Sequence, residues 1–527
     1  MAEYLSPGVY VEETSGGARP IEGISTTTAA FIGFAPNGPA NTPVFIANWT
    51  QYLQTFAAKD VDGKFQPHMP GTYLSHSVYG YFNNGGTRCY VTRLVPPTKK
   101  ADGNTVEMPK SLQLPTRASK AMPSLTVAVK GAPNSDVQVD VQPPVPTEQE
   151  PTPGDGVFTL KVRLDGQEET FENVSMAKKH PRNVVDVVNQ QSQIIEILEQ
   201  STAGPLAERV PEYGSSMIHS GFVPTDHTIE LQSDHFVGSA HERTGIEGME
   251  VAEDVSMICA PDLMSAFQNG LIDEDGVKAV QRAMIDHCER NQNRIAILDP
   301  LPDLSPQQVK RWREQTTNFD SSYAAMYYPW MKINGPEGKP IMIPPSGMVA
   351  GIYARNDVER GVHKAPANEV VRGAIDPALQ ITKSEQDILN PIGVNCIRSF
   401  SGMGLRVWGA RTLASDARWR YVSVRRLFNY VEQSLERGTQ WAVFEPNDDD
   451  LWSKLRRDIT AFLTIVWRSG ALFGKTPSEA FYVKCDAELN PVEVRDLGMV
   501  YVEIGIAPVK PAEFVVLRIG QYAGGGQ

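Results

Sequence analysis

Residues 255–299 decide the fold. They read Val255-Ser256-Met257-Ile258-Cys259-Ala260, then a helical stretch from Gly276 to Arg290, then Arg294-Ile295-Ala296-Ile297-Leu298-Asp299. The two outer runs are short and almost continuously apolar, the form taken by strands covered on both faces. Between them Val277, Val280, Ala283, Met284, His287 and Cys288 recur at helical spacing and give one buried side. A helix over Pro306 to Gln315 and a strand over Tyr323 to Tyr328 continue the pattern. Strand and helix therefore alternate, which predicts a parallel sheet with helices on its faces. Sheets of this kind hold ligands at their carboxyl ends. Here those ends read Ala260-Pro261-Asp262 and Asp299-Pro300-Leu301-Pro302, stiff turns without a glycine-rich loop for phosphate.

Towards the N-terminus, Ala29-Ala30-Phe31-Ile32-Gly33-Phe34-Ala35 is a buried strand ended by Pro36-Asn37-Gly38-Pro39. A short helix around Tyr52 to Phe56, a second over Gly71 to Asn84 and a strand over Arg88 to Leu94 complete a compact α/β segment. Composition changes at Pro96-Pro97. From there to about Glu247 the chain is polar, with alternating strands at Leu125 to Val129, Val137 to Val141 and Phe158 to Val162, a Pro-rich linker at 143–153, and one helix over Asn183 to Glu199. This reads as an inserted, mainly β domain with a solvent-facing position.

Towards the C-terminus the strongest helices stand out. Tyr421 to Arg437 places Val424, Leu427, Phe428, Val431 and Leu435 on one face and stops at Gly438. Asp448 to Arg468 places Leu451, Leu455, Ile459, Phe462, Leu463 and Val466 on one face, with Asn447 as its cap. Asp448-Asp449-Asp450 at its start suits the positive end of the helix dipole. The expected organisation is an N-terminal arm (1–23), an α/β domain in two parts (24–96 and 248–370), the insert (97–247), a C-terminal α+β domain (371–510) and a C-terminal arm (511–527).

Both arms are strand patterns on flexible joints. Pro7-Gly8 leads into Val9, Tyr10, Val11 and Glu12, followed by Thr14-Ser15-Gly16-Gly17; Pro511 precedes Phe514, Val515, Val516, Leu517 and Ile519, followed by Gly520 and Gly524-Gly525-Gly526. A lone strand cannot satisfy its own backbone donors and acceptors, so each needs a sheet edge. That edge belongs either to the same subunit or to a neighbouring copy, in which case the chain is a polymer subunit linked by strand addition.

Composition narrows the classes. A 527-residue chain, 41% hydrophobic and 21% charged, buries ample core and divides into roughly three or four domains. No stretch approaches a membrane span, and the first ten residues lack the pattern of a secretion signal, so folding in the cytoplasm without direct membrane insertion is expected. The five cysteines are widely spaced without a C-x-x-C pair, and read as reduced and mostly buried. A net charge of -13 and a pI near 5.3 argue against nucleic acid as the main partner.

Catalytic patterns fail. Gly470 to Thr476 imitates a Walker A loop but has three residues between its glycines where four are needed, and follows a helix. His235 and His241 lack further ligands for a metal, and Ser215-Ser216 and Ser321-Ser322 lack a nucleophile elbow or a partner base. Glu385 with Asp387, and Asp286 with Glu289, read as surface carboxylates. No catalytic, cofactor or metal site is expected, and the chain is not expected to be an enzyme. One constellation remains: Arg406, Arg411, Arg418, Arg420, Arg425 and Arg426 share a window whose one acid is Asp416. Arginine suits carboxylate pairing at an interface, so the patch reads as a dock for an acidic partner or a second copy; the alternative is pairing within the chain.

Several blocks together resemble the contractile tail sheath family. They are Leu5 to Glu13, Gly361 to Asn368, Asn390 to Asn395, Arg406 to Leu413, Tyr421 to Phe428, Trp441 to Asn447 and Pro511 to Gln521. The resemblance covers the first hundred residues and almost everything after about residue 250, and leaves out the insert. It implies a structural subunit that polymerises helically around a rigid inner tube and contracts to drive that tube through a target envelope. It further implies terminal strands exchanged between subunits, a metastable assembled state, and the inner tube, baseplate and terminal cap proteins as partners. The chain would be assembled in the cytoplasm into a phage tail or phage-like injection particle of a kind that cells can release. The competing class is a surface-binding or adhesin module acting through the polar β insert.

Overall fold

The computed structural model describes residues 20–59, 64–95, 98–99, 105–106, 111–117, 123–129, 137–146, 154–164, 167–200, 205–218, 231–335 and 338–519. The chain divides into two compact units: one built from 27–355 and 367–415, the other from the N-terminal residues to 26, 356–366 and 416–527.

The larger unit is organised by a nine-stranded sheet. Its strands, in chain order, are β1 (Ala29–Gly33), β2 (Val44–Ile46), β3 (Cys89–Arg93), β4 (Met257–Cys259), β5 (Ile295–Leu298), β6 (Ala324–Tyr328), β7 (Glu369–Val370), β8 (Val394–Phe400) and β9 (Gly404–Val407). Their order across the sheet is β2-β3-β1-β4-β5-β6-β8-β9-β7. The run from β3 to β8 is parallel, with Tyr90, Ala30, Ile258, Ala296 and Ala324 in one row. The apolar runs read from the sequence are thus central strands, and β1, β4, β5 and β6 are buried at every residue.

Helices cover the sheet. α1 (Trp49–Phe56) and α2 (Leu74–Asn83) lie between β1 and β3; α3 (Glu274–Asn291) joins β4 to β5 with Val277, Val280, Met284, Ile285 and Cys288 buried. α4 (Ser346–Arg360) follows β6. It approaches α2 closely because Gly347 lacks a side chain: a Cβ there would sit 2.5 Å from the Ser77 Cα. The helix expected over 306–315 starts at Pro306 under a Ser305/Gln308 capping box, but changes to a π-helical turn over Trp312–Thr317. The Thr317 hydroxyl donates back to the carbonyls of Trp312 and Arg313, which draws the backbone out of α geometry.

Two expected boundaries move. Strands β8 and β9 were assigned by sequence to a C-terminal domain beginning at 371, yet Met326 pairs with Val394, so they complete the central sheet and the unit boundary falls between Ser415 and Asp416. The polar segment also ends earlier than Glu247, because Leu231, Phe236 and Ile246 belong to the central core.

Within 111–218 the described residues form two antiparallel sheets around a separate core that includes Val127, Val139, Phe158, Leu160 and Ile195. One has four strands (Gln167–Ser175, Val157–Leu164, Val137–Gln142, Gly214–Ile218) and the other three (Ile195–Gln200, Pro123–Val129, Ser111–Pro115). The helix expected over 183–199 covers only Val184–Gln191, and a strand starts at Ile195. Ser192 makes the break: its hydroxyl accepts from the amides of Ile194 and Ile195, after which Ile195 and Ile197 alternate inward.

The smaller unit is built on α5 (Val422–Thr439) and α6 (Asp449–Arg468), whose apolar faces share a core with Ile21, Val362 and Phe481. α5 ends at Thr439, one residue past the expected stop at Gly438. Gly438 lies in the last turn, and a Cβ on it would lie 2.5 Å from the Ile21 Cγ2. The cap of α6 is Asp448, whose carboxylate accepts from the amides of Asp450 and Leu451. Asn447 instead accepts from the Trp452 indole and donates to the Met499 carbonyl. Beyond α6, Phe481–Lys484 and Glu503–Ile506 form a two-stranded antiparallel sheet.

Candidate assembly interface

The carboxyl ends of the parallel strands come first, because they are where an open α/β sheet binds ligands. β3 lies on one side of β1 and β4 on the other, so the chain reverses its winding between β1 and β4, the place for a ligand crevice. Asp262 sits there. Its carboxylate accepts from Phe34 N at 2.6 Å, from Leu74 N at 3.2 Å and from Tyr73 N, so one side chain ties the end of β1 to the first turn of α2. Asp299, after β5, does the same for α4, accepting from the Ser346 amide at 2.9 Å and its hydroxyl at 2.6 Å. Both carboxylates fill positions that an anionic ligand would take at a helix N-terminus. Burial pushes each carboxyl up to about 7, outweighing the donors that favour the charged form.

The failed catalytic patterns have structural employment. Gly470 and Gly474 adopt φ of +84° and +143° in a turn after α6, where the Gly474 carbonyl accepts from the Trp467 indole. His235 takes part in a helix cap, Ser321 donates to Glu289, Asp286 pairs with Arg282, and Glu385 closes a capping box with Thr382. Among the described residues no group of three or more His, Cys, Asp or Glu is arranged to hold a metal, and no helix is long and apolar enough to cross a membrane.

The arginine window separates into two populations. Arg411, Arg425 and Arg426 are buried. Arg411 donates to the Asn390 carbonyl. Arg425 reaches Asn429 and Glu432 and lies over the Trp419 ring at 4.4 Å. Arg426 pairs at 2.6 Å with Asp357, each side chain only 3% exposed, and also donates to the Thr26 carbonyl. For these three the expected outward dock gives way to pairing within the chain. Arg406, Arg418 and Arg420 are the outward ones: Arg406 bonds to Asn368, Arg418 pairs with Asp416, and Arg420 is exposed.

The C-terminal arm is the longest run of exposed large apolar side chains among the described residues. Residues 511–519 carry no helix or strand, and Phe514, Val515, Val516, Leu517 and Ile519 are between 73% and 93% exposed. Side chains on both faces are exposed, although Glu513 accepts from the Tyr421 hydroxyl at 2.9 Å. In the same unit, among the described residues, Glu503–Ile506 pairs with the strand Phe481–Lys484 alone. The N-terminal residues Val9, Tyr10, Val11 and Glu12 lie outside the described residues.

Two family models match contiguous parts of the chain: the phage tail sheath protein central domain over residues 240–413, and the phage tail sheath C-terminal domain over residues 414–521. Together they span more than half of its length. The chain belongs to the phage tail sheath family. Its boundary between the two matched domains lies within two residues of the division between the compact units. The tail sheath protein of Burkholderia phage BcepMu is 24% identical over 540 residues, which take in 97% of this chain and 95% of that protein. The tail sheath protein of Vibrio phage KVP40 is 28% identical over 180 residues, which span only 26% of that relative. Among solved structures, the helical sheath of the anti-feeding prophage in its contracted state shares the fold, with a TM-score of 0.56, 23% identity and coverage of 98% of this chain and 99% of that one. The contracted sheath complex of the extracellular contractile injection system PVC shares it with a TM-score of 0.54, 22% identity and coverage of 99% of each chain.

Sequence reasoning singled out the apolar stretch at 514–519, which is exposed, and the arginine window, of which Arg411, Arg425 and Arg426 are buried. It missed Asp262 and Asp299 as fillers of the ligand position, although both had been marked as strand-end residues. Their signal was an aspartate beside a proline at the end of an apolar strand.

Proposed function

We propose that this protein is the repeating subunit of a contractile sheath, polymerising helically around a rigid inner tube and contracting to drive the tube through a target envelope. The observation that carries the reading is the exposed apolar arm at 511–519 in the same unit as a two-stranded sheet. An open strand edge and an apolar extended segment are both costly to leave in water. Strand addition between copies relieves both: residues 514–519 of one subunit extend the Glu503–Ile506 edge of the next, and residues 9–12 link a further neighbour. Contacts of this head-to-tail kind build filaments. Contraction is a rearrangement from a kinetically held state to better-packed contacts, with no bond made or broken. The seating of Asp262 where a ligand would bind agrees with a structural rather than catalytic role. Family membership disfavours an adhesin.

In this reading the β segment lies on the outer surface, and Arg406, Arg418 and Arg420 face the tube or a neighbour. Baseplate and terminal cap proteins bound the polymer, and the chain is made and assembled in the cytoplasm. Co-expression with an inner tube protein, followed by negative-stain microscopy, tests it. Cog-like tubes are expected; monodisperse subunits under all assembly conditions would refute the reading.

A further inference from the structure

Phe444 is fully exposed, at 104% of its reference area, and its backbone lies at φ +66°, a left-handed conformation that bulky residues rarely adopt. Val443 beside it is 65% exposed. The loop is nevertheless tied down. The Val443 amide donates to Gln440, the Glu445 amide to Ala442 and the Asp448 amide to Pro446, while Asn447 bridges the Trp452 indole and the Met499 carbonyl. A strained, rigidly held and solvated aromatic is pre-organised as an anchor for a partner. Exposed carboxylates follow it in the chain at Glu445 and Asp449.

The matching surface lies at the other end of the same helix. Trp419 packs edge-on against Phe428 at 4.8 Å and carries the buried Arg425 on its ring, so its position is fixed. On either side are Arg418, 83% exposed, and Arg420, exposed. The segment beyond one end of α5 therefore offers an exposed aromatic followed by exposed carboxylates, and the segment before the other end an aromatic between two arginines in sequence. The 18 residues of α5 separate them by about 27 Å, too far to meet within one chain.

We infer that the Phe444 loop of one subunit docks on the Arg418-Trp419-Arg420 surface of a second copy, forming a head-to-tail joint separate from the terminal arms. The inference rests on the sheath-subunit reading and deepens it by naming a contact. Because the two halves differ and lie at opposite ends of one helix, the joint propagates along a row of subunits. The occupant is a second copy because this chain carries both halves with opposite charge.

Cysteine cross-linking in assembled particles provides the test. All five native cysteines are buried and leave a clean background. Particles of the Arg420→Cys/Phe444→Cys variant, mildly oxidised, should give a ladder of covalent multimers on a non-reducing gel. A mixture of the two single variants should stop at dimers. Arg418→Glu/Arg420→Glu and Glu445→Arg/Asp449→Arg should each lower the sedimentable fraction about tenfold or more, and combining all four should restore it. Intact tubes without a ladder, a Phe444→Cys link to a different protein, or no rescue by the combined reversal would overturn the joint and leave the sheath reading standing. Failure of the unmodified chain to form tubes would instead strike at that reading.

Discussion

Arg425 and Arg426 sit beside Arg418 and Arg420 in sequence, yet they answer to different physics. Arg426 and Asp357 form an almost fully buried pair, and removing one partner leaves the other charge without compensation. Arg426→Ala is therefore expected to lower unfolding free energy by about 3–5 kcal/mol. Arg418→Glu, at an 83% exposed position, should stay within about 0.5 kcal/mol in urea titrations. Cationic density was legible in the sequence, but its division was not, because Asp357 is 69 residues from Arg426 and only the fold brings them together. Asp262 and Asp299 carry a pH dependence of unusual sign. Burial raises both folded carboxyls from 3.8 to about 7, so between those values the folded state holds protons that the unfolded state has lost. Their contribution is fully present below the unfolded value and declines as pH rises towards about 7. Asp262→Asn should flatten that decline in a series of thermal melts between pH 4 and 8, on the order of a few kcal/mol across the window; an unchanged slope would remove Asp262 as its source.

At the scale of elements, composition and packing compete, and Gly438 shows which wins. Helix propensity alone favours alanine over glycine by about 1 kcal/mol at most, and Gly438 lies in the last turn, where the preference is weaker. The Ile21 side chain occupies the space a Cβ would need, and overpacking costs about 1–3 kcal/mol, so Gly438→Ala is expected to destabilise. A rise in the urea midpoint would show that Ile21 moves aside freely. The sequence read Gly438 as a stop and the helix ends one residue later, but the close contact of this glycine with a residue more than four hundred positions earlier leaves no local trace. The cap of α6 was misplaced by one residue for a similar reason: Asn447 and Asp448 are both good caps, and the Trp452 indole claims Asn447. Asp448→Ala should cost about 1 kcal/mol, read by the same titration. Strands β1, β4, β5 and β6 were legible because burial on both faces makes them apolar throughout. The break at Ser192 was hidden because the following Ile195 and Ile197 also suit a helix face.

For the whole molecule, the parallel core and the apolar stretch at 514–519 could be read from the sequence, whereas the unit boundary could not, since β8 and β9 join the central sheet across a long stretch of chain. Asn41 ties together chain from before and after the β segment: its side chain bonds both backbone groups of Val95, and its carbonyl accepts from the Gly245 amide. Replacing residues 97–230 by a short linker should therefore leave a folded, assembly-competent chain, with the cut made before Leu231 because that side chain belongs to the central core. The arm carries the sharper test. Residues 511–519 lie outside both cores, so truncation after Val509 removes no buried apolar side chain from the described fold. A strand of about six residues contributes backbone hydrogen bonds of ~0.5–1.5 kcal/mol each, several kcal/mol per contact in sum, and the loss repeats at every subunit along the polymer. The truncated chain is expected to keep its circular dichroism spectrum and melting behaviour while failing to sediment as tubes. Normal tubes from this variant and from one lacking residues 1–17 would defeat strand linkage, whereas loss of the folded monomer would mean that the arm completes the sheet of its own subunit.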